Sequence, residues 1–207
     1  AWDVSKRFVY SDGHLLVQLT NQGGMSFHWE YEGKGENARC VHTWGDGGVM
    51  EYFIRYGKGC TRIRNGEDAE TEYYYGEDKL IYKMVDANGG VTRQRYNEYQ
   101  ELEVTVNPEG YTRKTAYNGF GQPTRITDEN GEDTYLDYDK NRNLVSLRTP
   151  GGKQLSWSYD EQDRVASRTT LGGEIIRYAY EDSVLRTITD GRGRTYTLTF
   201  NDRYDLE

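Results

Sequence analysis

The chain has 207 residues, a formal net charge of −8 and only 35% hydrophobic residues. That acidity argues against a nucleic-acid footprint, and no run approaches the ~18 apolar residues of a membrane-crossing helix. So low a hydropathy would ordinarily mean disorder, but 19 tyrosines supply the aromatic surface that disordered chains lack.

The chain opens Ala1-Trp2-Asp3, without an initiator methionine or a signal-peptide pattern, and reads as a piece of a longer protein. From there Tyr10, Tyr31, Tyr56, Tyr75, Tyr96, Tyr117, Tyr138, Tyr159, Tyr180 and Phe200 form a ladder whose usual step is 21 residues. A glycine stands seven residues before the aromatic at Gly24, Gly89, Gly110, Gly131, Gly152, Gly173 and Gly193. Two marks in phase identify a repeat protein, and the repeat decides the architecture before any local signal does.

Between Tyr31 and Tyr75 the steps become 25 and then 19, and Gly33-Lys34-Gly35-Glu36-Asn37 reads as an enlarged loop. The ladder resumes on both sides, so residues 1–207 are expected to form a single repeat domain with irregular repeats at 31–75. Cys40 and Cys60 lie in neighbouring repeats. A bridge between them is conceivable, but free thiols are expected.

From Glu132 to Thr149 the pattern of a repeat is plainest. Thr134, Leu136 and Tyr138 share one face of a strand with Tyr135 and Asp137 on the other. Asp139 to Arg142 turn the chain, Leu144, Val145 and Leu147 return it, and Pro150-Gly151-Gly152 turns it again. Leu155 to Tyr159 and Val165 onward repeat this. The residues two before the ladder positions, among them Phe8, Trp29, Ile54, Tyr73, Leu136, Trp157, Tyr178 and Leu198, double the seam on its face. Asn118-Gly119-Phe120-Gly121 suits a type I turn with a bulge, and Gly110 and Gly131 suit left-handed positions. No helix is predicted. The fold class is therefore all-β: tandem antiparallel hairpins of about 21 residues forming a curved, open sheet ribbon. Its edge strands, near 5–10 and 195–200, are expected to promote self-association.

These repeats resemble the Rhs/YD-repeat family. The resemblance is carried by Tyr117-Asn118-Gly119-Phe120-Gly121-Gln122-Pro123, by Tyr138-Asp139 with Leu144, and by Tyr159-Asp160 with Arg164-Val165. Arg39-Cys40-Val41-His42-Thr43-Trp44-Gly45-Asp46-Gly47-Gly48 is also similar to a segment of bacterial Rhs proteins associated with type VI secretion. What the resemblance implies is a non-catalytic segment of a hollow shell enclosing a C-terminal toxin used in interbacterial competition. Its partners would be the rest of the shell and the toxin. Its location would be the bacterial cytoplasm before export, followed by type VI-like secretion. The sequence departs from the whole family protein in having no Asp-Pro dipeptide, no toxin domain after Tyr204 and no N-terminal spike-binding domain. Self-cleavage and toxicity therefore transfer to no residue here. Gln100, Arg142 and Asp163 stand where the family's Tyr-Asp-x-x-Gly has glycine, so more varied turns are expected.

No residue is nominated as catalytic, cofactor-binding or metal-binding, and the chain is read as not an enzyme. His14, His28 and His42 have no partner at metal spacing, although His28 is placed on the face opposite Trp29. Asp128, Asn130 and Asp133 read as a solvated acidic turn rather than a calcium loop. Gly191-Arg192-Gly193-Arg194 reads as a hairpin tip pairing with nearby acids rather than a nucleic-acid contact. The rival reading is an aromatic-repeat module binding glycans or a cell surface, with Trp29, Trp44 and Trp157 as exposed platforms. A parallel β-helix enzyme is disfavoured by the hairpin-type turns.

Overall fold

The structure, a computed structural model, describes residues 6–201 and 206. The Ala1-Trp2-Asp3 opening, residue 5 of the expected first edge, and Tyr204 lie outside the described residues. The first strands are β1 (Arg7–Tyr10), β2 (Leu16–Thr20), β3 (Ser26–Glu32), β4 (Arg39–Gly45), β5 (Val49–Gly57), β6 (Cys60–Asn65), β7 (Glu70–Tyr75), β8 (Ile81–Val85) and β9 (Val91–Tyr96). Then come β10 (Leu102–Val106), β11 (Thr112–Tyr117), β12 (Pro123–Thr127), β13 (Asp133–Tyr138) and β14 (Leu144–Arg148). The last are β15 (Gln154–Tyr159), β16 (Val165–Thr169), β17 (Ile175–Glu181), β18 (Val184–Thr189) and β19 (Thr195–Thr197).

The chain divides into two compact units, residues 1–95 with 106–110 and residues 96–105 with 111–207. In the first, consecutive strands from β1 to β9 pair antiparallel. In the second, the strands from β11 to β19 do the same. Neither meander closes on itself in the pairings of the described residues: β1 pairs with β2, and β19 with β18. The described part is all-β, as expected, with 3₁₀ turns at Gly35–Asn37 and Asp46–Gly48 in the irregular stretch.

Local geometry explains the 21-residue period. After Tyr117 come the five-residue turn 118–122, the five residues of β12, the five-residue turn 128–132 and the six residues of β13, ending at Tyr138. Each such turn is closed twice by backbone. The Asn118 N–H donates to the Gln122 carbonyl and the Gly121 N–H to the Asn118 carbonyl; Asp128 with Glu132 and Gly131 with Asp128 do likewise. The leading side chain completes the turn. Asn118 Oδ1 accepts from the N–H groups of Phe120 and Gln122, and Asp128, Asp139, Asp160 and Asp190 Oδ1 do the same in their own turns. An acid or amide directly after the ladder tyrosine thus satisfies amides that the hairpin leaves unpaired.

The fourth residue of this turn lies at positive φ: Gly121 at 76° and Gly131 at 84°, as expected. The expectation of varied turns where glycine is missing is overturned. Gln100, Arg142 and Asp163 adopt φ of 65°, 72° and 58° and keep the same backbone hydrogen bonds. Neighbouring turns help hold two of them. Gln122 Nε2 donates to the Arg142 carbonyl while the Arg142 guanidinium lies 4.7 Å over the Phe120 ring. Asp163 Oδ1 accepts from both Asn141 and Asn143 Nδ2 at 2.7 Å.

Steps other than 21 have visible causes. The β5–β6 hairpin needs only Lys58-Gly59 between the paired Gly57 and Cys60, which shortens the Tyr56–Tyr75 step. The β17–β18 hairpin is likewise tight: only Asp182 and Ser183 separate the paired Glu181 and Val184, at φ 47° and 71°. Longer strands and the two 3₁₀ turns lengthen the Tyr31–Tyr56 step.

Among the described residues no hydrophobic side chain is fully buried. Stability comes instead from half-covered cross-strand rows on the ladder face, such as Leu136–Leu147–Leu155, Tyr178–Ile188–Tyr196 and Ile54–Ile63. Cys40 and Cys60 are free. With β5 between their strands they stand about 10 Å apart, beyond disulfide reach.

Candidate functional site

The ladder tyrosines do more than stack. Each sits at or near the end of its strand, next to a bulge in the pairing of most repeats. The ring reaches back toward the preceding strands, where the hydroxyl donates to a backbone carbonyl. Tyr31 donates to Leu16, Tyr117 to Leu102, Tyr138 to Pro123, Tyr159 to Leu144 and Tyr180 to Val165, all 15 residues back and 2.8–3.0 Å away. In the irregular stretch Tyr56 reaches Cys40 at 2.8 Å and Tyr75 reaches Gly57 at 3.3 Å. The accepting residue is generally the one paired with the previous ladder aromatic: Pro123 pairs with Tyr117, Leu144 with Tyr138, and Val165 with Tyr159. Each of these seven tyrosines thereby bolts its repeat to the strands before it. Burial pushes the Tyr138 and Tyr159 hydroxyls above their ordinary pKa of 10.0, so they remain donors at neutral pH.

A second cluster occupies the opposite face of β3–β6. His28 lies against Trp44 (ring centroids 5.1 Å, 18° between planes), Trp44 against His42 (4.2 Å, 21°), and His42 against Phe53 (4.3 Å, 7°). The Arg64 guanidinium caps the row, 4.5 Å over Phe53. Carboxylates clamp the imidazoles. His28 Nε2 meets Asp46 Oδ1 at 3.1 Å, His42 Nδ1 meets Glu30 Oε2 at 3.2 Å, and His42 Nε2 meets Glu51 Oε1 at 3.0 Å. An ionised carboxylate only accepts, so both His42 contacts are hydrogen bonds together only in the imidazolium form. Both ring nitrogens of His42 thus face carboxylate oxygens of neighbouring strands. His28 does lie on the face away from Trp29: it pairs with Trp44 while Trp29 pairs with Thr43. His14 lies in a turn at φ 60°, its N–H donating to the Ser11 carbonyl. The stack escapes a search for metal spacing because it depends on strand register. The signal available beforehand was the i, i+2 pair His42 and Trp44 on one strand facing His28 on its neighbour.

Asp128, Asn130 and Asp133 do not converge. Asp128 caps its turn, whereas Asp133 accepts from Arg125 at 2.5 Å, Thr127 at 2.7 Å and Tyr135 at 3.2 Å. The Arg125 guanidinium first, then the Thr127 hydroxyl, lower the Asp133 pKa to about 2. Arg194 folds back onto Asp190 at 2.7 Å, the pairing expected of a hairpin tip. Trp29, Trp44 and Trp157 are all half-covered rather than exposed platforms. The groups brought together here hold strands to strands.

A family model for the RHS Repeat matches residues 117–154 and again, one period later, residues 138–175. Over residues 117–175 the chain carries repeats of the Rhs/YD-repeat family. The two matches begin on the ladder residues Tyr117 and Tyr138, so the matched period is the one set by the tyrosine bolts. None of the curated proteins compared with this Rhs-repeat chain matches it. Among solved structures, it is similar to a crystal structure of TcdB2-TccC3-TEV, with a TM-score of 0.70, 12% identity and coverage of 97% of this chain. It is also similar to TcdB2-TccC3-Cdc42 (TM-score 0.62, 10% identity, 97% coverage). A third similar structure is the Tc holotoxin pore of Photorhabdus luminescens (TM-score 0.61, 11% identity, 97% coverage). At such identities the likeness is one of fold. The Rhs-repeat chain spans about an eighth of these chains, 12% of each.

Proposed function

We propose that this chain is a non-catalytic structural segment of an Rhs/YD-repeat shell, one continuous repeat array within a longer polypeptide that encloses a C-terminal toxin. The observation that carries this reading is the bolted ladder. Hydroxyl–carbonyl bonds recurring every 21 residues fix each hairpin to its predecessor and suit a wall better than a catalytic cleft. Its partners are the remaining shell repeats and the enclosed toxin. It is made in the bacterial cytoplasm and exported by a type VI-like apparatus during interbacterial competition. Two experiments on the complete polypeptide test this. In limited proteolysis, a C-terminal domain should resist cleavage until the repeats are unfolded; a C-terminal domain cut as fast in the intact protein as in urea refutes enclosure. Secretion should cease in a strain whose type VI sheath cannot contract; undiminished secretion refutes that route.

A further inference from the structure

On the ladder face of the first unit, Tyr56, Thr61, Ile63, Tyr73, Tyr75 and Ile81 floor a concavity of about 530 Å³, within the size range of ligand sites. Its polar atoms are largely spent. The Tyr56 hydroxyl donates to Cys40 O, and the Tyr75 hydroxyl donates to Gly57 O and accepts from Thr61. What remains is an apolar floor of ring faces and branched aliphatic side chains. Two cations stand over it: Arg39, whose guanidinium is 5.3 Å above the Tyr56 ring, and Lys79, whose Nζ is 5.6 Å above the Tyr75 ring.

Three other basic groups of the unit are paired with acids. On the opposite face Arg55 pairs with Glu70, Arg62 with Glu72, and Arg64 with Asp68. Arg39 and Lys79 have no carboxylate within ion-pairing distance among the described residues, although Glu32 is the register partner of Arg39. In a chain of net charge −8, two uncompensated cations converging on one apolar floor form a site for a carboxylate-bearing apolar ligand. We propose that this concavity binds an extended peptide segment whose apolar side chains are flanked by acidic residues. The apolar side chains lie on Ile63, Tyr73 and Ile81, and the flanking carboxylates meet Arg39 and Lys79. The site stands on the geometry of the first unit alone, so it does not depend on the shell reading.

The test titrates the ¹⁵N-labelled full chain with Ac-Glu-Leu-Phe-Leu-Glu-NH2, using Ac-Lys-Leu-Phe-Leu-Lys-NH2 and Ac-Glu-Gly-Ser-Gly-Glu-NH2 as controls. The acid-flanked apolar peptide should shift amide signals around Arg39, Tyr56, Ile63, Tyr73 and Lys79, and neither control should match it. Arg39→Gln and Lys79→Gln should each weaken binding roughly two- to five-fold, the range for exposed ion pairs. Lys79→Glu should turn the preference toward the lysine-flanked peptide, a gain that a misfolded variant would not show. Equal binding of the acidic and basic apolar peptides, or unchanged affinity in both glutamine variants, overturns the proposal. A glucuronate oligosaccharide that shifts the same signals at lower concentration overturns the assignment to a peptide.

Discussion

The bolted ladder makes a sharp prediction at Tyr159. Its hydroxyl donates to the Leu144 carbonyl at 2.8 Å, one of five bonds with the same 15-residue offset. Tyr159→Phe keeps the ring and its packing and deletes only that bond. A net hydrogen bond contributes about 1 kcal/mol, and for a chain of this length that lowers Tm by roughly 2–4 °C. Tyr99 is the control, 74% exposed and off the ladder; Tyr99→Phe should leave Tm within about 1 °C, as surface substitutions generally do. Because repeats couple mainly to their neighbours, the loss should be local as well as global. Amide exchange should quicken in β14 and β15 while β2 and β3 are unaffected. The measurements are thermal melting by circular dichroism, with refolding verified, and hydrogen exchange by mass spectrometry. If Tyr159→Phe matches Tyr99→Phe in both, the hydroxyls are incidental and the ladder is merely a packed aromatic row.

Other outcomes follow from the turns and the titrating groups. Asp182 and Ser183 both lie at positive φ in a two-residue hairpin, a conformation that suits Asn-Gly; replacing the pair with Asn-Gly should raise stability by about 1–2 kcal/mol in urea titrations. Asp133, with its pKa lowered from 3.8 to about 2, contributes stability that is complete above the unfolded-state value and lost as pH falls from about 4 toward 2. Asp133→Asn should flatten that part of the Tm–pH curve, and an unchanged slope would contradict the assignment. The Tyr31, Tyr56, Tyr138 and Tyr159 phenols lie above 10.0, desolvation being the leading cause. The unfolded chain therefore releases those protons first, so stability should fall as pH rises past about 10, less steeply in Tyr138→Phe; equal slopes would count against buried hydroxyl donors.

Much of the fold was legible because the repeat expresses backbone geometry directly. Alternation from Thr134 to Tyr138 placed a strand where β13 runs, and Gly110 and Gly131 marked turn positions that do lie at positive φ. What escaped depended on register. Nothing in the local pattern says that Tyr138 reaches Pro123, because that depends on the pairing of β12 with β13. Turns lacking glycine at Arg142 and Asp163 were misjudged for a related reason. The cost of a left-handed side-chain-bearing residue is visible in sequence, whereas the asparagine, glutamine and arginine contacts between successive turns are not. The His28–Trp44–His42–Phe53 row was hidden by the enlarged loop, which obscures how β3 aligns with β4.

The central claim is most directly tested by cryo-electron microscopy of the complete polypeptide. The account predicts a hollow particle in whose wall residues 117–200 appear as successive hairpins, each ladder tyrosine meeting the strand before it, with further hairpins paired to the outer edges of β1 and β19. A map in which these repeats stand as a separate module with free edges and enclose nothing would contradict it.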